Sequence, residues 1–123
     1  MAKHNQTGQW GEQIALETLI KKGYAIVERN WRLNHLEVDI IAMRQNRLVF
    51  VEVKTRSSLD ANPAEAVDRR KIRHMVAAAD NYVRISNLPH EIQFDIIAVS
   101  GKPDNYVVDH IEDAFLPPLR TVR

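Results

Sequence analysis

Apolar positions change period several times along the chain, and each change marks a new element. Between Thr7 or Gly8 and Lys22, residues Ile14, Ala15, Thr18 and Leu19 recur at i, i+1, i+4 and i+5. That spacing predicts an amphipathic helix, and Gly23 stands where a helix C-terminal glycine belongs. Tyr24 to Arg29 is rich in β-branched and aromatic residues and reads as a short strand. Leu36 to Met43 and Leu48 to Thr55 read as two more. Only the polar stretch Arg44-Gln45-Asn46-Arg47 separates them, so they predict an antiparallel hairpin. Leu48 to Val53 is almost continuously apolar, which suits a central strand covered on both faces.

The period then lengthens. Pro63 is favoured in a first helical turn and opens a long helix. Its buried stripe is Val67, Ile72, Met75, Val76, Ala79, Tyr82 and Val83, and Arg69, Arg70, Lys71 and Arg73 fall largely off that stripe. After Pro89, Ile92 to Val99 reads as a fourth strand. Residues 101–105, Gly-Lys-Pro-Asp-Asn, read as a turn, and Tyr106 to Ile111 as a last strand. Residues 116–123, with Pro117-Pro118, read as a loose tail. The order is helix, three strands, helix, strand, strand. A strand–helix–strand unit implies a parallel pair with a right-handed crossover. The expected fold is therefore α/β: one domain over residues 1–123, with a mixed sheet flanked by helices.

Against this pattern, two strands carry acids where apolar residues are expected. The first is Leu-Glu-Val-Asp-Ile-Ile-Ala, residues 36–42, and the second Leu-Val-Phe-Val-Glu-Val-Lys-Thr-Arg, residues 48–56. A buried carboxylate is costly unless a cation or hydrogen-bond donors compensate it. Alternation puts Glu37 with Asp39 on one face, and Glu52 with Lys54 on a face of the next strand. The start of one antiparallel strand lies beside the end of its partner, so Asp39 and Glu52 can converge at one edge of the sheet. Hard carboxylate oxygens suit Mg²⁺ or Mn²⁺. Lys54 could hold or help deprotonate a water near such a metal, and metal-bound water is a hydroxide-like nucleophile for phosphodiester attack. The competing reading of Glu-x-Lys in a strand is a surface ion pair.

Composition narrows the classes. The 123 residues, 45% hydrophobic, suffice for one core, and the absence of Cys excludes disulfides, thiolate nucleophiles and zinc–thiolate sites. No apolar run approaches the roughly 20 residues of a membrane span. The polar N-terminus lacks the apolar segment of a secretion signal. The expectation is a cytoplasmic protein without membrane contact. Net charge is only +1, yet residues 44–84 hold nine Lys/Arg against five Asp/Glu, whereas residues 85–123 hold three against six. The middle third can thus present a basic surface, or simply a solvated helix face of mixed charge.

Asp39 followed by Glu52-Val53-Lys54 resembles the PD-(D/E)xK pattern of restriction-endonuclease-like nucleases. The chain is more similar still to the bacterial YraN family, which looks related to archaeal Holliday-junction resolvases. Ordered blocks carry the likeness: GQWGEQIALETLIKKGY, ERNWR, EVDIIA, LVFVEVKTRSS, PAEAVDRRKIRHMVAAADNYV and FDIIAV. The resemblance implies Asp39 and Glu52 as ligands of Mg²⁺ or Mn²⁺, with the Val53 carbonyl as a further one. It implies Lys54 as the catalytic lysine and Glu12 as an acid near the site. Glu37 matches the acid of the family's Gly-Glu-x-Asp stretch, in which this chain has Leu36 for the glycine.

The remaining candidates are more open. Apart from the resemblance, a helix residue such as Glu12 is more often a solvated acid. Asp95, between Phe94 and Ile96, is a partner behind the site or, preferably, a structural hydrogen-bond acceptor. Arg56, Arg69, Arg70 and Arg73 could face phosphates or solvent. Trp10 and Trp31 read as core or subunit-contact residues. The five His, at 4, 35, 74, 90 and 110, show no ligand spacing and read as surface residues. The expected function is a metal-dependent endonuclease on DNA, with branched or otherwise structured forms among its substrates. Its alternative is a non-catalytic nucleic-acid-binding or assembly module on the same fold, and a soluble domain with an unrelated hydrolytic metal site is a weaker third. Near-neutral charge favours the alternative, or a homodimer that completes a binding surface.

Overall fold

The structure is a computed structural model. It describes residues 2–60, 62, 68–87 and 91–115, with side chains described from Gln9 onward. The elements are α1 (Ala2–Lys21), β1 (Ala25–Leu33), β2 (Leu36–Arg44), β3 (Arg47–Arg56), α2 (Arg69–Ser86), β4 (Glu91–Lys102) and β5 (Asn105–Ile111). The five strands form one sheet in chain order. The β3–β4 pair is parallel, with α2 as its crossover, and the other pairs are antiparallel. This is the mixed α/β architecture expected from the apolar pattern.

Helix α1 ends as its sequence dictates. Gly23 adopts φ 94°, and Gly23 N–H and Tyr24 N–H donate to the carbonyls of Ile20 and Leu19, both at 3.0 Å. These bonds form the glycine C-terminal motif that satisfies orphan carbonyls. One side of the sheet packs on α1, where Ala15 and Leu19 meet Ile40, Ala42, Val49, Val51, Ile97 and Val99. The other packs on α2, where Met75, Ala78, Ala79 and Tyr82 meet Val38, Ile41, Leu48, Phe50 and Phe94. β3 lies between β2 and β4, and Leu48 to Val51 are fully buried. Its near-continuous apolar run has that origin.

Three sequence expectations need correction. β1 does not stop at Arg29 but runs to Leu33, closing a hairpin in which Leu33 pairs with Leu36. Polar Glu28-Arg29-Asn30 masked this extension, which Trp31 anchors edge-on against Tyr82 with ring centroids 5.3 Å apart. α2 begins at Arg69. Asp68 is extended, and its carboxylate accepts Lys71 N–H at 2.9 Å, as an N-cap does. Pro63 and Val67, read as the opening of this helix, lie outside the described residues, as does the tail 116–123. Finally, His110 is no surface residue, its side chain being 3% exposed.

His110 belongs to a polar cluster around Asp95 on the α1 side of the sheet. Asp95 is fully buried. It accepts from Tyr24 Oη at 3.1 Å, Gln93 Nε2 at 2.8 Å and Asp113 N at 3.0 Å, and it pairs with His110 Nε2 at 2.7 Å. Burial works to raise its pKa. The bonds from His110, Gln93 and Asp113 outweigh this and hold it below 3.8.

Candidate active site

Two local departures from regular sheet build the site. The β2–β3 ladder runs from Arg44↔Arg47 to Ile40↔Val51 and stops there. In place of the next ladder bond, Val53 N–H donates to Asp39 Oδ2 at 2.7 Å. Alternation also breaks here. Val38 packs on the α2 side and Ile40 on the α1 side. Across the pair, Arg29 faces Ile40 and Trp31 faces Val38, and Asn30 between them takes φ 52°. Asn tolerates that left-handed region better than most residues. The first hairpin is thus turned relative to the rest of the sheet where Asp39 stands. Asp39 and Glu52 do meet, as expected. Their meeting place is not a lateral edge of the sheet but the end at which β2 leaves β3.

There, His35, Glu37, Asp39, Glu52, Lys71 and His74 line a cavity of about 170 Å³. Asp39 is half-buried and Glu52 buried, whereas Glu37 is exposed. Glu37 lies 3.5 Å from Arg32, an exposed pair of small energetic weight. Burial and then the negative charge of Glu52 raise the Asp39 carboxyl from 3.8 to about 7. Val53 N–H opposes the shift, and Glu12 and Glu37 add to it.

Glu12 is not among the lining side chains, yet it feels the same field. Burial raises its pKa, Arg29 opposes this, Glu37 and Glu52 reinforce it, and the Asn30 side chain lowers it. The preceding residue explains how α1 comes so close. Gly11 is buried, and a Cβ there would overlap Thr55 Oγ1 on β3. Only glycine lets this turn of the helix rest on the strand.

The lysine that touches the acids is not the one the motif names. Lys71 Nζ lies 2.7 Å from Glu52 Oε2. Burial alone would lower its pKa, but Glu52, Asp39 and Asp68 keep it raised. Sequence reasoning treated Lys71 as an off-stripe helix charge. The signal that could have found it is Asp68-Arg69-Arg70-Lys71, in which an N-cap acid fixes the third helical residue. Lys54 is exposed and makes no ion pair among the described residues. His35 and His74, read only as surface residues, are exposed but line the cavity.

The other candidates separate. Arg69, Arg70 and Arg73 are exposed on the first turns of α2 and are not among the residues lining the cavity. Arg56 donates to the Asn62 carbonyl at 2.7 Å, so it steadies the segment after β3. Asp95 does not back the site. Its partners Tyr24 and His110 lie on the α1 side, whereas Glu52 turns to α2, so it is the structural acceptor that the sequence also allowed.

Among the described residues, no three acids or histidines stand close enough to enclose an ion by themselves. Asp39 and Glu52 offer two carboxylates. This fits an ion such as Mg²⁺, which takes one or two carboxylates and fills its shell with water or phosphate oxygen. Asp39, raised to about 7 by burial and a like charge, is the acid that a cation would relieve.

Fold and cleft together define a class: an α/β protein with a mixed five-stranded sheet and a carboxylate cavity where its central hairpin opens. The chain belongs to the family described as "Uncharacterised protein family UPF0102", whose model matches residues 11–99. It is 50% identical over 120 residues to a UPF0102 protein of Bacteroides thetaiotaomicron, covering 97% of this chain and 99% of that protein. It is 46% identical over 121 residues to one from Parabacteroides distasonis, covering 98% and 100%. With UPF0102 protein FP2501 of Flavobacterium psychrophilum it shares 48% over 116 residues, covering 94% and 98%. Among the described residues, no helix is long and apolar enough to cross a membrane.

Proposed function

We propose that this protein is a metal-dependent endonuclease of restriction-endonuclease-like type, hydrolysing DNA phosphodiesters, with branched or otherwise structured DNA as the favoured substrate class, in the cytoplasm. One observation carries the reading. Asp39 and Glu52 are brought together in a cavity at the point where the sheet ladder is interrupted, and Asp39 itself supplies the replacement acceptor for Val53 N–H at 2.7 Å. A fold that needed only stability would continue the ladder and keep these positions apolar.

Asp39, Glu52 and the Val53 carbonyl are the groups that would hold Mg²⁺ or Mn²⁺. When bound, the ion supplies an activated water and charge stabilisation at the phosphate. Val53 N–H fixes the Asp39 carboxylate through one oxygen and leaves the other for a ligand. Lys54 is exposed on β3 and makes no ion pair among the described residues. It can orient the attacking water and face the charge that develops on the phosphoryl oxygens. Glu12 and Glu37 add negative potential that favours a divalent cation over a monovalent one. Arg69, Arg70 and Arg73, on the first turns of α2, supply phosphate contacts outside the reacting bond.

A second reading has its own support. The Lys71–Glu52 pair compensates the buried acid without metal, as a non-catalytic DNA-binding or assembly module would require. The discriminating experiment is a cleavage panel of linear, single-stranded, flapped and four-way-junction DNA with Mg²⁺ or Mn²⁺. Wild type should cut at least one member and Glu52→Ala none. If wild type cuts none with either metal, the binding module is the better account.

A further inference from the structure

We propose that the Lys71 ammonium is the resident cation of the carboxylate cavity, and that a divalent ion enters by displacing it from Glu52. This rests on the reading of Asp39 and Glu52 as metal ligands and adds a residue to which that reading gives no role.

The geometry is asymmetric in a way that suits displacement. Lys71 Nζ sits 2.7 Å from Glu52 Oε2, and the side chains are 41% and 12% exposed respectively. The acid is fixed and buried, while the cation arrives on a stem that is half in solvent. The backbone of Lys71 is held separately, its N–H bonded to Asp68 at 2.9 Å. Nζ can therefore leave Glu52 by side-chain rotation, without unwinding α2. Lys54 makes no ion pair among the described residues, so the compensating charge on Glu52 comes from α2 and not from the motif lysine. Asp39 lines the same cavity, so an ion bound to both carboxylates must lie near the point that Nζ now occupies. Two cations cannot share that carboxylate without strong repulsion. Nζ then turns into solvent, where its half-exposed stem already leads.

A purely structural ion pair makes a different forecast. Removing Lys71 would cost stability and leave cation affinity unchanged or lower. Displacement predicts that Lys71→Met binds Mn²⁺ more tightly, because the competitor is gone. The test is Mn²⁺ binding to the full chain without DNA, followed by electron paramagnetic resonance. It compares wild type, Lys71→Met and an Asp39→Asn/Glu52→Gln control. The expected result is at least a tenfold fall in Kd for Lys71→Met, with binding lost in the control. Equal or weaker binding by Lys71→Met, with wild type binding normally, overturns this inference and leaves the metal-site reading standing. If neither wild type nor Lys71→Met binds Mn²⁺ beyond the control, both fall.

Should Lys71→Met fail to fold, wild type still decides. The hydrogen-bonded side-chain ¹H–¹⁵N signal of Lys71, assigned with Lys71→Arg, should disappear or move to the exposed-lysine position on Mg²⁺ titration. A signal unchanged at Mg²⁺ saturation overturns the proposal.

Discussion

Replacing Asp39 by Asn isolates the electrostatic strain of the site from its hydrogen bonding. The Asn carbonyl can still accept Val53 N–H, so the local geometry is kept while the charge is removed. The carboxyl is raised from 3.8 to about 7, first by burial and then by Glu52. Because its folded pKa lies above its unfolded value, the folded state binds the proton more tightly. This group therefore destabilises the metal-free protein progressively as pH rises from about 4 to 7, and contributes nothing below that window. Full ionisation corresponds to about 4 kcal/mol. Asp39 is only half-buried, and solvent screening reduces the expected effect to about 2 kcal/mol. Urea denaturation in EDTA should show Asp39→Asn more stable than wild type at pH 8, with a midpoint about 1 M higher for a chain of this size. At pH 4.5 the difference should shrink toward zero. A variant less stable than wild type at pH 8, or equally shifted at both pH values, would refute the reasoning.

Three further outcomes follow from other parts of the molecule. Lys54→Ala should lower DNA cleavage by about 10²–10³ while gel-shift affinity changes little, since one cation is a small part of polyelectrolyte binding. Gly11→Ala should destabilise by about 1–3 kcal/mol through overlap with Thr55, and calorimetry should show partial recovery in Gly11→Ala/Thr55→Ala. Asp95→Asn should cost about 3 kcal/mol by leaving His110 and its neighbours poorly paired. Since the Asp95 pKa is depressed, its contribution in wild type is present above about pH 4 and is lost as pH falls further; the difference between wild type and variant in denaturant melts should narrow there.

The elements whose apolar period was uninterrupted were legible from sequence. Leu48 to Val53 announced the central strand, and the Arg44–Arg47 connection announced its hairpin. The extension of β1 was hidden because Trp31 and Leu33 are apolar positions beyond a polar interruption, and tertiary contact with Tyr82 decides their conformation. At the site, Asp39 and Glu52 could be paired by counting along an antiparallel hairpin. Lys71 could not, because its approach to Glu52 depends on where α2 starts, and Pro63 offered a plausible earlier start. Crowded acids imply that neutralising either relieves strain, but Glu52 has a lysine partner, so Asp39 carries that expectation. His110 was misjudged because histidine spacing reports on ligands along one element. Its partner Asp95 lies on a neighbouring strand.

β3 is held differently along its two sides. Toward β4 it is paired over its whole length, from Arg47↔Glu91 to Arg56↔Ser100. Toward β2 the ladder ends at Ile40↔Val51, beyond which the Asp39–Val53 bond is the tie seen among the described residues. The strand is thus fixed by a full ladder along one side only, and along the other the turned β1–β2 hairpin, with Trp31 anchored on Tyr82, parts from it at the acids. A displacement of β2 along this seam would act on Asp39 and leave Glu52 in register with Ile96. The separation of the two carboxylates is therefore set by how the hairpin packs, not by a continuous ladder between their strands.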